Sequence, residues 1–460
     1  WHLDVQPHRQ LERATDASLF SLAGVHFLSY MRMVLLAISA RRALRCATSA
    51  ASILLLLCQT ACGDVLGVRN PDSLQEERLS DPSLEAFLIN GAIGEFQFAF
   101  ANYAFASSML ADEAFADHPS NSRELSRHDF TDLDVANEAV YGNLQRARQS
   151  ADDAVQRVKQ MQGANAGSSL NVARALIYGG YTYVLLGEGF CEAPVNLSAP
   201  LSSNELLSRA IARFDEGMTV AAAANTGTNA AAAQDLINMA RVGAARAALK
   251  RGDSPKARVY ADAVPESYER WAYYSANSVR ENNSLQVAAR LSQPWLGVQP
   301  AFQGLADVRI PLATARTSLN SHPIFPPLKP SMYSGWTAAG PATPIDVATH
   351  IRFASGLEAR YIVVEADGPN TAMLAFVNAR RAIASKAPLN LSGSALVSEF
   401  RMQRAIDFYL TGQRLGDLRR YAAAGTDLFP TGNFPVGPDS YGSMHCFIVP
   451  RSEKTGNPHY

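Results

Sequence analysis

The sequence predicts a mostly α-helical protein whose helices carry one long, loop-rich, aromatic stretch. Three observations predict it. Apolar residues recur at helical spacing in several segments between residues 81 and 260 and again after residue 346. Alanine crowds one of those segments, Ala230 to Lys250, favouring helix and letting helices approach closely. Between 261 and 345 the helical period fades, and aromatic residues stand among many Pro, Gly, Ser and Asn.

The 460 residues carry 41 Lys+Arg against 42 Asp+Glu, a formal net charge of -1. No concentrated basic surface is visible, so nucleic acid is not an expected partner. A mean hydropathy of -0.07 argues against a multi-span membrane protein. Residues 1–30 contain no methionine and are expected to be an over-extended reading frame, with the start at Met31 or Met33. Residues 31–61 have the layout of an export signal. Arg32, Arg41, Arg42 and Arg45 precede an apolar run through Ile53 to Leu57, which ends at Gln59-Thr60-Ala61-Cys62. The run is roughly ten to twelve residues, too short to span about 30 Å of hydrocarbon. Small residues directly before Cys62 resemble a bacterial lipobox, although Gln59 replaces the usual Leu; Cys62 is the expected lipidation site. Acyl chains there would tether the body to a membrane, with 62–80 as the tether. Cys191 and Cys446 remain for the body, and separate thiols are expected, a disulfide being the alternative.

The N-terminal helical part spans 81–260. Its first helix starts at Asp81-Pro82, with Asp81 as cap and Leu84, Phe87, Leu88 and Ala92 as its apolar face. The next, from Val140 to Met161, places Leu144, Ala147, Ala151, Ala154 and Val158 on one side and ends at the Gly-rich run from Gly163. Val172 to Leu186 is apolar nearly all round and should be buried. Ser203 to Thr219, capped by Ser203, has a stripe of Leu206, Leu207, Ile211 and Phe214. Ala230 to Lys250 turns at Gly252-Asp253 and resumes at Pro255. Two stretches in this part, 173–190 and 240–262, combine small residues, aromatic or leucine positions and a glycine turn, resembling tetratricopeptide helix pairs. In the last part, 346–460, helices are expected over Ala348–Asp367, Thr371–Ala384 and Ser394–Tyr409, with extended chain near Phe447 to Pro450.

One motif is more specific. Gln403 to Arg420 reads QRAIDFYLTGQRLGDLRR. It resembles the signature of the SusD/RagB family of outer-membrane lipoproteins: Glu-Arg, two residues, Glu-Leu, two residues, Glu-Gly-His-Arg, two residues, Asp-Leu-Arg-Arg. Arg404, Gly412, Arg414, Asp417, Leu418, Arg419 and Arg420 fit, whereas Gln403, Asp407, Phe408, Thr411 and Gln413 depart. In order along the chain, Asp307 and Arg309 resemble the family's Asp-x-Arg turn. Glu365-Ala366 resembles its Ala-Glu-Ala helix end, Asn378 and Arg380 its Asn-x-Arg segment, and Pro450 to Pro458 its closing segment. The resemblance implies a right-handed scaffold of four tetratricopeptide-like helix pairs supporting a loop-rich ligand-binding region. It also implies a lipid-anchored protein at the cell surface, on the outer membrane beside a TonB-dependent, SusC-like transporter, delivering glycans or peptides without cleaving them.

The 261–345 stretch is the expected binding region, with Trp271, Tyr273, Tyr274, Trp295, Tyr333 and Trp336 as ligand candidates. A sugar ring packs its axial C–H face on an aromatic plane, and polar neighbours fix its hydroxyls. The opposing account is that such rings anchor loops on the helices. Arg404, Gly412, Arg414, Asp417 and Arg419 are read as structural rather than catalytic or anion-binding, with Asp417 accepting guanidinium bonds. Asp112, Glu113 and Asp117 could bind calcium, but an exposed helix end is the expectation. His118, His128, His322, His350 and His445 are isolated in sequence, so no metal site is expected. No serine elbow, phosphate loop or dinucleotide fingerprint appears, and no cofactor is expected. A binding protein is therefore favoured over an enzyme. An exported glycan hydrolase, which needs two carboxylates across a cleft, and an envelope scaffold protein are the alternatives.

Overall fold

Asp81 opens the first helical segment as the sequence predicts. Its carboxylate accepts the Ser83 N–H at 2.9 Å, and a short turn, Pro82–Leu84, leads into α1, Glu85–Leu110. The computed structural model describes residues 81–117, 122–285, 295–312, 329–337, 340–341 and 345–460. All lie within one compact unit, Gln75–Tyr460. Cys62 and the segments 1–30, 31–61 and 62–80 lie outside the described residues, as do His118 and His322. Among the described residues no helix is long and apolar enough to cross a membrane.

The apolar face of α1 differs from the expected one. Phe87 is 60% exposed, and Ile89 and Phe96 turn inward instead, joining Ala92, which is buried as expected. The first turn has apolar residues on more than one side, and packing on α3, Val135–Gln162, selects the Ile89 side. From Ala99 onward α1 is buried almost throughout, as befits a helix apolar all round.

The next helices follow their predicted spans closely. Asp134 caps α3, whose Leu144, Ala147, Ala151, Ala154 and Val158 are buried. After α2, a single turn at Arg123–Ser126, and α3 come α4, Leu170–Gly189; α5, Ser203–Ala223; α6, Ala230–Lys250; and α7, Ser254–Asp262. Ser202, not Ser203, caps α5. It forms a capping box with Glu205, while the Ser203 hydroxyl donates to the Gly187 carbonyl at 2.5 Å. Successive helices pack in order: α3 on α4, α4 on α5, α5 on α6 and α6 on α7. Gly180 and Gly243 let α4 and α6 close around Phe214. A Cβ there would lie 2.7 and 2.2 Å from its ring atoms.

Beyond the end of α7, the described chain up to 345 has only short strands and single turns. β4, Glu269–Ala272, pairs antiparallel with β8, Ile351–Ser355. β5, Leu296–Val298, pairs with β1, Ala114–Ala116, and β6, Trp336–Thr337, with β7, Gly340–Pro341. β2, Glu192–Ala193, and β3, Leu201–Ser202, form a small pair beside α5. The helix expected from Ala348 begins later. Ile351 and Phe353 alternate with the half-buried Arg352, a strand pattern, and only after Ser355, the cap, does α8 run over Gly356–Ala366. Then follow α9, Thr371–Ile383; α10, Gly393–Asp407; α11, Arg414–Ala423; and a last short helix, α12, Arg451–Gly456.

Cys191 and Cys446 form a disulfide, with Cα atoms 5.3 Å apart, contrary to the expectation of separate thiols. The chain after α4 meets the C-terminal segment there. Cys191 N–H donates to the Phe447 carbonyl at 3.0 Å, and Phe447 N–H to Gly189 at 2.9 Å. A separation of 255 residues hides this meeting from sequence spacing.

Candidate ligand-binding site

The site grows from the β4–β8 ladder. Trp271 stands opposite Arg352, whose guanidinium lies 4.6 Å over the indole. One register step beyond Ala272–Ile351, the Tyr273 ring meets the His350 ring edge-on at 5.0 Å. These two cross-strand pairs share the outer side of the ladder, because alternate residues of a strand share a face. The other side, Ala272 and Tyr274 with Ile351 and Phe353, is buried. A third segment completes the ladder: Arg352 N–H donates to the Met332 carbonyl, Ser334 N–H donates to the His350 carbonyl, and Tyr333 bridges Ile351.

Tyr273 is 55% exposed and is the one of the six aromatic candidates with most of its surface free. Its position is fixed from behind. Its N–H donates to Gln97 Oε1 at 2.9 Å, and the Tyr274 N–H donates to His350 Nδ1 at 3.0 Å. Burial holds the His350 imidazole below its ordinary range, consistent with Nδ1 acting as an acceptor. Tyr273 stands at a cleft of about 290 Å³ between α1 and the chain around 278–281. Phe98 forms an apolar wall, and the Arg280 guanidinium lies 4.5 Å over its ring while bonding Glu95 at 2.5 Å. Added Cβ atoms at Gly91 and Gly94 would meet nothing within 4 Å, so this side of the cleft is open. The Glu281 carboxylate is held by the Ser275 and Ser278 hydroxyls. The cleft thus offers an exposed aromatic face bordered by an amide, two carboxylates and a guanidinium.

The structure gathers Trp271, Tyr273, Tyr274 and Tyr333 on one ladder and places the other two candidates in separate anchors. Tyr333 is a core residue, 1% exposed, whose hydroxyl donates to the Leu410 carbonyl at 2.8 Å. Burial with its polar atom spent removes it from the ligand candidates. Tyr274 is likewise buried, its hydroxyl donating to Gln97 O at 3.1 Å, and reaches the cleft only at its lining. Trp336 is half-buried and donates its indole N–H to Val308 O at 3.1 Å. Trp295 packs edge-on against Phe105, 5.7 Å between centroids. Sequence reading missed Glu95, Gln97 and Phe98, because nothing local marks residues of α1 as neighbours of a loop some 180 positions away, and it missed Arg280, whose place in the cleft depends on those α1 partners.

No protein-family model matches the chain, and no curated protein matches it. Solved structures do. A SusD superfamily protein from Bacteroides vulgatus superposes with a TM-score of 0.59 at 13% identity, covering 82% of this chain and 99% of that one. Surface glycan-binding protein A from Bacteroides uniformis superposes at 0.58 with 12% identity, over 82% and 98% of the two chains. A SusD-like carbohydrate-binding protein from Bacteroides vulgatus gives 0.57 at 13% identity, over 82% and 96%. The fold is SusD-like.

In this SusD-like fold the motif residues join distant elements. Asp417 is buried and accepts from Arg404 Nε at 2.8 Å and Lys250 Nζ at 2.6 Å. Burial pushes its carboxyl up, but Arg404, Lys250 and Arg420 outweigh this and hold it well below the usual carboxylate range. Arg414 grips Asp112 through two 2.7 Å bonds. Gly412 has φ of 79° and lies against Tyr103, where a Cβ would come within 3.1 Å of the ring. Arg419 donates to the Gly187 and Glu188 carbonyls at 3.2 and 2.7 Å. Asp407, one of the departures from the motif, collects Arg309, Arg380 and the Tyr361 hydroxyl. The Asp307–Arg309 turn and Arg380, remote in sequence, therefore meet at one carboxylate.

Asp112, Glu113 and Asp117 are not an exposed helix end: all three are buried. Arg414 neutralises Asp112, and Glu113 Oε1 accepts the Leu410 N–H at 2.8 Å. Burial pushes the Glu113 carboxyl up to about 8. His128 and His445, isolated in sequence, come within 6.2 Å ring to ring, and His445 stacks on Phe429 at 3.9 Å. Among the described residues no group of three or more His, Cys, Asp or Glu is placed to hold a metal ion.

Proposed function

We propose that this chain is a surface lipoprotein of the SusD/RagB family that binds a glycan in the Tyr273 cleft and performs no chemistry on it. The observation that carries the reading is the exposed Tyr273 ring, rigidly backed by Gln97 and His350 and bordered by Glu95, Arg280 and Glu281. An aromatic plane offers the C–H face of a sugar a dry contact, while flanking amide, carboxylate and guanidinium groups supply hydroxyl partners. Two structural neighbours are described as a carbohydrate-binding protein and a surface glycan-binding protein, which supports the same ligand class. The Cys191–Cys446 disulfide suits an exported protein. Lipidation at Cys62 would then hold the body at the outer membrane beside a TonB-dependent transporter that receives the glycan.

The test is calorimetric titration of the purified protein with neutral oligosaccharides and, in parallel, peptides of similar size. A neutral oligosaccharide is expected to bind saturably, without release of shorter products, and Tyr273→Ala should weaken it at least tenfold. Equal affinity in wild type and Tyr273→Ala, or binding by peptides alone, would overturn the assignment. Mass spectrometry of the mature terminus and co-purification of the transporter test the anchor and the partner separately.

A further inference from the structure

A second groove, of about 330 Å³, lies on the other side of α1, between it and α3. The two meet at a ridge, since Gly91 and Glu95 line both. The second groove repeats the construction of the first. Its floor is apolar: Leu88 is half-buried, and Ala92 and Ala154 are each 2% exposed. Phe87 lines it as an aromatic ring with 60% of its surface free. Ser150 and Asp153, three residues apart on one face of α3, bring a hydroxyl and a carboxylate to the facing wall. Gln149 Nε2 donates to the Asp153 carboxylate at 2.7 Å and orients it. Between the two grooves the ridge is bare. Gly91 and Gly94 sit inside α1, where glycine is the poorest helix former after proline. Neither has a positive φ, and an added Cβ at either would meet nothing within 4 Å. Neither backbone conformation nor helix packing therefore asks for glycine here. A ligand crossing the helix does, because a backbone without side chains can be approached closely.

We propose that the two grooves are one trough, filled by a single neutral oligosaccharide that passes over Gly91 and Gly94 and rests on Tyr273 at one end and Phe87 at the other. The proposal rests on the Tyr273 reading and extends it from a ligand class to a ligand length. From Phe87 to Phe98 the helix advances about 16 Å, at roughly 1.5 Å per residue. A disaccharide is shorter than that and occupies one groove only, whereas a hexasaccharide reaches both. Each aromatic ring then packs against the C–H face of a different sugar unit, and Ser150 and Asp153 meet hydroxyls that the first cleft does not touch. Because both contacts belong to one molecule, the second groove adds its affinity without a second loss of overall motion.

The trough is tested on the full chain by titration with cellohexaose, maltohexaose and mannohexaose, each beside its own disaccharide. The hexasaccharide that binds is expected to do so at least tenfold more tightly than its disaccharide. Phe87→Ala should weaken the hexasaccharide at least fivefold and leave the disaccharide unchanged. Gly91→Leu, which raises a side chain on the ridge, should weaken the hexasaccharide at least tenfold. Neither variant threatens the fold. Phe87 is exposed, and leucine at position 91 enters open space and favours helix, so unfolding midpoints should not fall. Tyr273→Ala should weaken both ligand lengths. Equal affinity for the two lengths, or full hexasaccharide affinity in either Phe87→Ala or Gly91→Leu while Tyr273→Ala still loses it, overturns the trough and leaves the Tyr273 cleft standing. So does an equal loss of disaccharide and hexasaccharide in Phe87→Ala. Binding of none of the three hexasaccharides, or of one that is indifferent to Tyr273→Ala, overturns both readings together.

Discussion

Arg380 holds Asp407 through two parallel hydrogen bonds of 2.7 Å, Nε to Oδ2 and NH2 to Oδ1, tying α9 to the last residue of α10. The same carboxylate accepts Arg309 at 3.0 Å and the Tyr361 hydroxyl at 2.5 Å, so one side chain joins four stretches of chain. Removing it strands the largely buried Arg380, whose carboxylate partner it is, and takes from buried Arg309 one of two carboxylates, Asp307 remaining. Asp407→Ala should therefore destabilise folding by about 3–5 kcal/mol. Denaturant unfolding measures this, and glycan affinity in the folded fraction should stay within twofold of wild type. A stable variant that has lost binding would show Asp407 to be a ligand residue.

Two buried groups set opposite pH dependences. Burial raises the Glu113 carboxyl to about 8, above its unfolded value, so the unfolded chain sheds its proton first and stability falls as pH rises from about 4.5 to 8. Burial, aided by His445, lowers His128 to about 4, so the unfolded chain takes up a proton first and stability falls as pH drops from about 6.5 to 4. Between roughly pH 4.5 and 6.5 the two slopes cancel. Glu113→Gln keeps an acceptor for the Leu410 N–H but cannot ionise. It should abolish the decline above pH 6.5 and unmask a rise between 4.5 and 6.5, on the order of 2–3 kcal/mol. Urea midpoints at pH 5, 6.5 and 8 decide the matter; parallel profiles for wild type and variant would refute it.

The disulfide closes a loop of 255 residues and ties the end of α4 to the C-terminal segment. Cys446→Ser should cost about 2–5 kcal/mol, since a long loop regains much freedom in the unfolded chain. The same loss should follow from a reductant added to wild type, and reductant should leave the variant unchanged. Unaltered stability on reduction would mean that the Phe190–Phe447 and Cys191–Phe447 backbone contacts hold the segment alone.

The helices were largely legible because each carries its own period. Leu144 to Val158 and Leu206 to Phe214 mark buried stripes without reference to anything distant. The strand at Ile351 was misread as helix because five residues of alternation, next to a true helix, are too few to separate the two periods. The binding site was half legible. Residue type singled out Tyr273, but it equally singled out Tyr333, and only burial separates them, at 55% and 1% exposure. Gln97 and Arg280 were invisible because their role exists only where α1 meets the chain beyond β4. Asp407 looked like a lapse in the motif, yet a shorter carboxylate still reaches three partners when the elements bring those partners to it.

Trp336 and Trp295 separate loop anchoring from recognition. Trp336 gives its indole N–H to Val308, and Trp295 packs on Phe105, so both rings tie irregular chain to its surroundings. Trp336→Phe should keep ligand affinity while lowering stability by about 1–2 kcal/mol, the cost of an unpaired carbonyl and lost ring area. Loss of affinity with unchanged unfolding would move Trp336 into the binding surface.

The packing of three helices on Phe214 gives the sharpest test of the scaffold. An added Cβ at Gly243 would stand 2.2 Å from the ring's Cζ, and one at Gly180 2.7 Å from Cε1, so the ring is pinned from two sides and cannot swing away from either. Gly243→Ala should cost about 1–3 kcal/mol by overpacking, despite alanine's better helix propensity. Phe214→Leu removes the far end of the ring and should cost stability by itself. In that background Gly243→Ala should be nearly neutral, because the atom it strikes is gone. The double-mutant cycle therefore predicts a favourable coupling of at least about 1 kcal/mol. If Gly243→Ala costs the same with either residue at position 214, the glycine is needed for some reason other than the approach of α6 to this ring.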